Sequence, residues 1–243
     1  MNIEILLSKS INKFKQTIQI IAPLIILYTI LSYLFTPPIV RTYQLDQNLD
    51  ILLSQINSQD IIFSVLLIFI FSLYTIIINQ FIFINIKKTI FKISDTFGAL
   101  ILLFIIYVIL FTSFILMSLI LPIPDLAGML FMILYAALFF TIYIKIDYNK
   151  SYLESLIIGY MLFTKNFKSI LKLLLMHGLA LIIITYSMVI VGLLVTQIIG
   201  TRSSIMLINI LFYIFSYLLS IIWIYFYFSL DKKFIAKKNN HQL

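Results

Sequence analysis

Long apolar runs, separated by short clusters of lysine, asparagine and proline, set the pattern of this chain. A helix needs about 20 mostly apolar residues to cross a hydrocarbon core roughly 30 Å thick. Six runs meet that length, at residues 18–35, 61–86, 97–121, 126–146, 171–199 and 205–228. Proline cannot continue a helix, so Thr36-Pro37-Pro38 closes the first run and Pro122-Ile123-Pro124-Asp125 divides the third from the fourth. The second of these turns is so short that spans three and four form a tight hairpin. The pattern predicts an all-α, integral membrane bundle of six transmembrane helices, a single domain over residues 1–243, with short amphipathic interfacial helices.

Between the fourth and fifth runs, Ser151-Tyr152-Leu153-Glu154 has the spacing of a capping box, in which the serine caps a backbone N–H and the glutamate reaches back to the serine. A helix is expected to start there. Leu153, Leu156, Ile157, Tyr160, Phe163 and Phe167 then recur at helical spacing, followed by Lys165, Lys168 and Lys172. Such a helix suits the membrane interface, its apolar stripe in the acyl boundary and its lysines at the phosphates. The start of the chain echoes it, with Ile3, Leu6, Leu7, Ile11 and Phe14 on one stripe beside Lys9, Lys13 and Lys15. On the far side, Leu45, Leu49, Leu52, Leu53 and Ile56 pattern as a short surface helix, where Asp46 and Asp50, one turn apart, read as solvated acids rather than a cation site.

Composition sharpens the class. With 63% hydrophobic and 11% charged residues, the chain has far less charge than the roughly 25% of a globular domain. Charge also fixes an orientation. All fifteen lysines fall on one side of the six spans, with five acids, for a net of +10; Arg41 and Arg202 fall on the other with four acids, for a net of −2. By the positive-inside rule the lysine side is cytoplasmic, as are both termini. Lysines spread over four loops facing an anionic leaflet need no nucleic acid to explain them. The run behind Lys9, Lys13 and Lys15 is long and lacks a small-residue cleavage site, so it reads as a span and not a signal peptide. Localisation in a bacterial inner membrane is expected.

Little in the sequence points to catalysis. Cysteine is absent, the histidines are His177 and His241, and the acids are scattered singly, so no cofactor, metal or acid/base cluster is expected. No phosphate-binding glycine loop, nucleophile elbow or zinc-protease motif occurs. No ionisable residue falls at mid-span; Lys145, Asp147 and Lys172 sit near helix ends, where they can reach the interface, and His177 lies little more than one turn past Lys172. Neutral polar stripes do run through three spans: Ser72, Thr75 and Asn79; Gly178, Thr185, Gly192 and Thr196; and Asn209, Tyr213, Ser216 and Ser220. These read as close-packing and hydrogen-bonding surfaces between helices. The alternative is the wall of a polar cavity.

The order of features resembles the YciC-like family of uncharacterised enterobacterial inner-membrane proteins. The resemblance rests on the basic N-terminal helix, the outer loop after span one, the proline turn at Pro122 to Pro124, and Ser155 followed by Asn166-Phe167. The chain departs from it where Pro124-Asp125 replaces an expected Pro-Gly pair, and its outer loop is shorter. The resemblance implies an integral inner-membrane protein and brings no activity. The expected function is therefore a non-enzymatic one, acting through membrane lipids or protein contacts at the cytoplasmic interface, with Lys165, Lys168 and Lys172 as lipid-headgroup contacts. A small-solute transporter or channel is the alternative.

Overall fold

The computed structural model describes residues 3–37, 57–87, 93–120 and 124–230, and in these the chain is helical without strands. Seven helices follow in order: α1 (Ile3–Leu34), α2 (Ser58–Lys87), α3 (Ile93–Ile120), α4 (Pro124–Tyr148), α5 (Tyr152–Lys165), α6 (Phe167–Ile199) and α7 (Thr201–Ser229). Five of them, α1, α2, α3, α6 and α7, are long and apolar enough to cross a membrane. The surface helix expected around Asp46 and Asp50 and the tail bearing His241 lie outside the described residues, as do Pro122 and Ile123 of the proline turn.

α7 is the centre of the bundle, packing on α1, α2, α4 and α6. α1 also meets α2, α2 meets α3, and α3 meets α4, while α6 touches α4 and α5 as well as α7. α6 buries little besides its seam with α7: Leu179, Ile183, Tyr186, Leu193 and Ile198 all face outward. A helix apolar on every side and covered on one has lipid as its natural solvent.

The N-terminal segment corrects an expectation. The basic stretch before span one is not a separate interfacial helix but the first turns of α1, which runs unbroken for 32 residues. Nothing between Lys13 and Ile18 can stop a helix, and burial continues through the junction at Ser10, Thr17 and Ile21. Pro23 sits inside the helix, where its missing N–H is tolerable in a packed membrane bundle. The hydroxyls of Ser10, Thr17 and Thr29 donate to carbonyls one turn back, at 2.8 Å each, so these buried polar groups are satisfied within α1.

Local start signals act as the sequence spells them. At α5, Ser151 Oγ accepts from Glu154 N–H at 3.3 Å while the Glu154 carboxylate accepts from Ser151 N–H at 3.3 Å, completing the box. α2 opens with a second reciprocal pair that the sequence reading missed: Asn57 and Asp60 exchange backbone-to-side-chain bonds of 3.1 and 3.0 Å. α4 begins on Pro124, a position where the lost N–H has no partner to lose.

The turn from α4 to α5 reverses the chain, and α5 folds back beside the last turns of α4. Asn149 takes the left-handed conformation (φ 46°) that asparagine tolerates better than most residues. The two helices then approach backbone to backbone. A methyl group on Gly159 would lie 2.7 Å from Thr141 Oγ1 and 2.8 Å from Thr141 N, so only glycine fits. Ser155 is fully buried one turn earlier. Together they make a small-residue ridge of the kind that lets helices meet closely. Overpacking of this sort costs about 1–3 kcal/mol. Gly159→Ala is therefore expected to lower the thermal midpoint of the purified protein by several degrees, whereas Gly178→Ala, which meets nothing within 4 Å, should leave it unchanged. Equal midpoints for the two variants would refute the close approach.

Candidate functional site

At the lysine-bearing end, polar groups from five helices interlock. Asp147, near the C-terminus of α4, forms an ion pair with Lys87 at the end of α2 and accepts a 2.8 Å hydrogen bond from Tyr227 OH on α7. Its side chain is 1% exposed, while Lys87 is 36% exposed and lies 5.1 Å from the Phe228 ring centre. The expectation that Asp147 reaches the interface is thus corrected: its partners arrive from two other helices and shut it in. Burying a carboxylate is tolerable only when it is paired and hydrogen-bonded, and both conditions hold here.

Around this latch the neighbouring ends are stitched down. Asn149 donates to Asp95 of α3 at 2.9 Å, and Lys145 donates to the Lys150 carbonyl at 2.6 Å while lying 5.1 Å from the Tyr152 ring centre. Gln80 and Thr96 exchange bonds of 2.9 and 3.1 Å between α2 and α3. Lys13 reaches the Asn85 carbonyl at 3.1 Å, and Tyr217 donates to Thr17 at 2.6 Å, binding α1 to α2 and α7.

Three stripes descend from the latch in register. On α2 they are Lys87, Phe83, Asn79 and Thr75; on α4, Asp147, Tyr143, Phe139 and Tyr135; on α7, Tyr227, Trp223, Ser220 and Ser216. Helical geometry places these at repeats of one turn, so the last members lie roughly 18 Å beneath the first. Below the ion pair, Phe83, Tyr143 and Tyr227 pack as a buried aromatic layer with ring centres 5.2 to 6.0 Å apart. Phe139 and Trp223 follow at 6.1 Å.

Beneath that layer the stripes part around a cavity of about 220 Å³, lined by Thr75, Tyr135, Ser216, Ser220 and Trp223 among others. His177 of α6 closes one side, its Nδ1 accepting a 2.8 Å hydrogen bond from Trp223 Nε1–H. The histidine is held by the wall of this space and also lies close to Ile3, Leu6 and Leu7 at the start of α1. A second region of about 500 Å³ shares Phe71, Tyr107, Tyr135, His177 and Trp223 with the first and extends to Leu110 and Phe111.

The polar stripes therefore divide between the two roles expected of them. Thr196 bonds Ser204 of α7 (2.9 Å) as well as the Gly192 carbonyl (2.7 Å), which ties two helices together, while Ser72 and Ser220 are satisfied within their own helices at 2.8 and 2.9 Å. Thr75, Tyr213, Ser216 and Ser220 line the cavity, and Asn209 lines a separate groove with Tyr28 and Tyr33. Asn79, 1% exposed, has no hydrogen-bond partner for its amide among the described residues, and neither has the hydroxyl of Tyr74 or Tyr143.

Lys165, Lys168 and Lys172 are all exposed, Lys165 in the last turn of α5 and the others in the first turns of α6. Asn166 ends one helix and starts the next; its N–H and its side-chain amide both donate to the Leu162 carbonyl, at 3.2 and 3.0 Å. The outward face of α5 carries Leu153, Leu156, Ile157 and Tyr160, most of the stripe read from the sequence, whereas Phe163 turns into the core. Ser155 and Gly159, four residues apart, were the missed signal for the packing face, and Asp147 with its one-turn repeat of aromatics was the missed signal for the latch.

No family model, no curated protein and no solved structure matches the chain.

Removing one partner of a buried pair strands the other and costs about 3–5 kcal/mol when both are enclosed. With Lys87 partly exposed and the pair screened by solvent, Lys87→Met is expected to destabilise by about 2 kcal/mol, below that range. Adding Asp147→Leu should cost less than the sum of the two single substitutions, because the stranded carboxylate is gone, although the Tyr227 hydroxyl then loses its acceptor. A denaturation series in detergent over the double-mutant cycle measures both, and strict additivity of the two substitutions would rule out the latch.

Proposed function

We propose that the chain is a non-enzymatic, six-span bacterial inner-membrane protein of the YciC-like kind that engages lipid at the cytoplasmic interface through α5 and the start of α6. In this reading α4 is the sixth span: 25 residues rise about 37 Å, more than a hydrocarbon core requires. The lysine distribution supports placing both termini in the cytoplasm.

One observation carries the reading. α5 is clamped on one face by Gly159, Ser155 and the capping box, yet it turns a second apolar face outward, with Leu153 70% exposed. Exposed leucine, isoleucine and tyrosine beside exposed lysines match the acyl and phosphate layers of an anionic leaflet. Because the clamp fixes the helix before lipid arrives, the contact costs little ordering. The wall of the inner cavity bears no charged side chain among the described residues, which suits a hydrated ion poorly and favours lipid contact over a channel.

Each lysine near an anionic surface contributes about 1 kcal/mol at low salt. Replacing Lys165, Lys168 and Lys172 together with glutamine is expected to reduce the preference for anionic over zwitterionic lipid at the protein boundary at least tenfold, measured by spin-labelled lipid exchange in reconstituted bilayers. An unchanged preference would sink the lipid-contact reading. Orientation has its own check. The chain has no cysteine, so Lys9→Cys and Lys168→Cys introduce single labels that an impermeant maleimide should reach from the same, cytoplasmic, side, and Ser203→Cys one that it should reach only from the other. Labelling of Lys9→Cys and Ser203→Cys from one side would overturn the topology.

A further inference from the structure

The geometry points to the cavity between α2, α3, α4, α6 and α7 as a binding site for an uncharged lipid whose polar end is a carbonyl group. This does not rest on the interface reading, since none of its walls belongs to α5.

Three features define the occupant. The first is charge: the two regions, which share much of their lining, are walled by aromatic and aliphatic side chains, with hydroxyls, one imidazole and the Trp223 indole N–H as the polar groups. An ionised group placed there would be desolvated without a counter-charge.

The second is hydrogen-bond polarity. Tyr74 lines the smaller region, is buried, and its hydroxyl has no partner among the described residues. A buried phenol left unpaired is costly, and such a group marks an unseen partner. His177 adds a second donor. Its Nδ1 accepts from Trp223, so the neutral ring carries its proton on Nε2. Two donors call for an acceptor oxygen. A water alone would suit a polar pocket offering 2 to 4 partners, about one per 30 Å³, but a largely aromatic space of about 500 Å³ is the size of an organic ligand site.

The third is access. Phe111 on α3 lines the larger region and is 51% exposed on the outer surface of the bundle, so this region opens sideways toward the acyl chains. An occupant can therefore enter from the bilayer and set its carbonyl end inward against Tyr74 and His177.

Ester carbonyls of a diacylglycerol and ring carbonyls of a quinone share this chemistry, and an experiment separates them. Trp223 is the only tryptophan, forms part of the wall and is 5% exposed, which makes its fluorescence a reporter that bulk lipid reaches poorly. The full chain is reconstituted in unbrominated phosphatidylcholine and titrated, in separate arms, with a brominated diacylglycerol, a short-chain benzoquinone and a brominated hydrocarbon lacking oxygen. Saturable quenching is expected in one or both carbonyl arms, and the arm that saturates names the source. The hydrocarbon should quench only in proportion to its mole fraction. Tyr74→Phe, which keeps the ring, should weaken the saturable phase about fivefold, the effect of one hydrogen bond. Ser216→Phe, which fills the space, should abolish it. Non-saturating quenching in both carbonyl arms, or saturation indifferent to Tyr74→Phe, would overturn the proposal, and the shape-preserving Tyr74→Phe keeps the test valid even if Ser216→Phe fails to fold.

Discussion

The buried carboxylate of Asp147 sets the register of the bundle. Three helices that would otherwise slide on one another through interchangeable apolar surfaces are indexed by one ion pair and one phenol hydrogen bond. In a membrane the hydrophobic effect gives helices no reason to associate, so packing and polar contacts must decide their alignment. Once Lys87, Asp147 and Tyr227 are brought level, the one-turn repeats on α2, α4 and α7 bring Phe83, Tyr143 and the Tyr227 ring level too. The same repeats then deliver Thr75, Tyr135, Ser216 and Trp223 to the walls of a common space. The cavity is a consequence of the latch together with side chains too mismatched in size to fill the layer beneath the aromatics.

The latch also explains why the outer face of α5 is held in a fixed position. Asp147 is followed after one residue by the left-handed Asn149, so locking the end of α4 locks the start of the turn. Lys145 and Asn149 fasten that turn to Lys150 and to α3, the Ser151–Glu154 box starts the helix, and Gly159 seats it on Thr141. Each step restricts the next. The result is a short helix with both an inward and an outward apolar face, which in water would be a liability.

The positions of the apolar runs and the start of α5 were legible because they depend on local pattern: apolar length, proline, and the spacing of Ser151 and Glu154. The five long helices fall on five of the six apolar runs, and the sixth run coincides with α4. What was not legible depends on partners far away in the chain. Asp147 looks like any acid at a helix end until Lys87, sixty residues earlier, and Tyr227, eighty later, are placed beside it. The packing face of α5 was hidden by composition. Its apolar residues point both ways, so hydrophobic periodicity selects the larger side chains, Leu153 and Tyr160, while the face that meets α4 is marked by small ones. Continuity of α1 was obscured for the opposite reason, since a basic cluster reads as a boundary even where the backbone has no cause to break.

The neutral stripes show why sequence alone leaves packing and cavity open. A serine at i and another at i+4 look identical whether the facing helix presents glycine or tyrosine. Where α6 brings Gly192 and Thr196 against Ser204, the backbones close and the hydroxyls find each other. Further toward the lysine end, the same pair of helices accommodates His177 and Trp223, whose rings sit 6.0 Å apart. Small residues thus meet at one end of this pair and bulky rings fill it toward the other. The cavity falls where α2 and α4 contribute Thr75 and Tyr135, so the space inherits hydroxyls from stripes that elsewhere serve as glue. One polar pattern thus acquires two roles, and the size of the residue opposite decides between them.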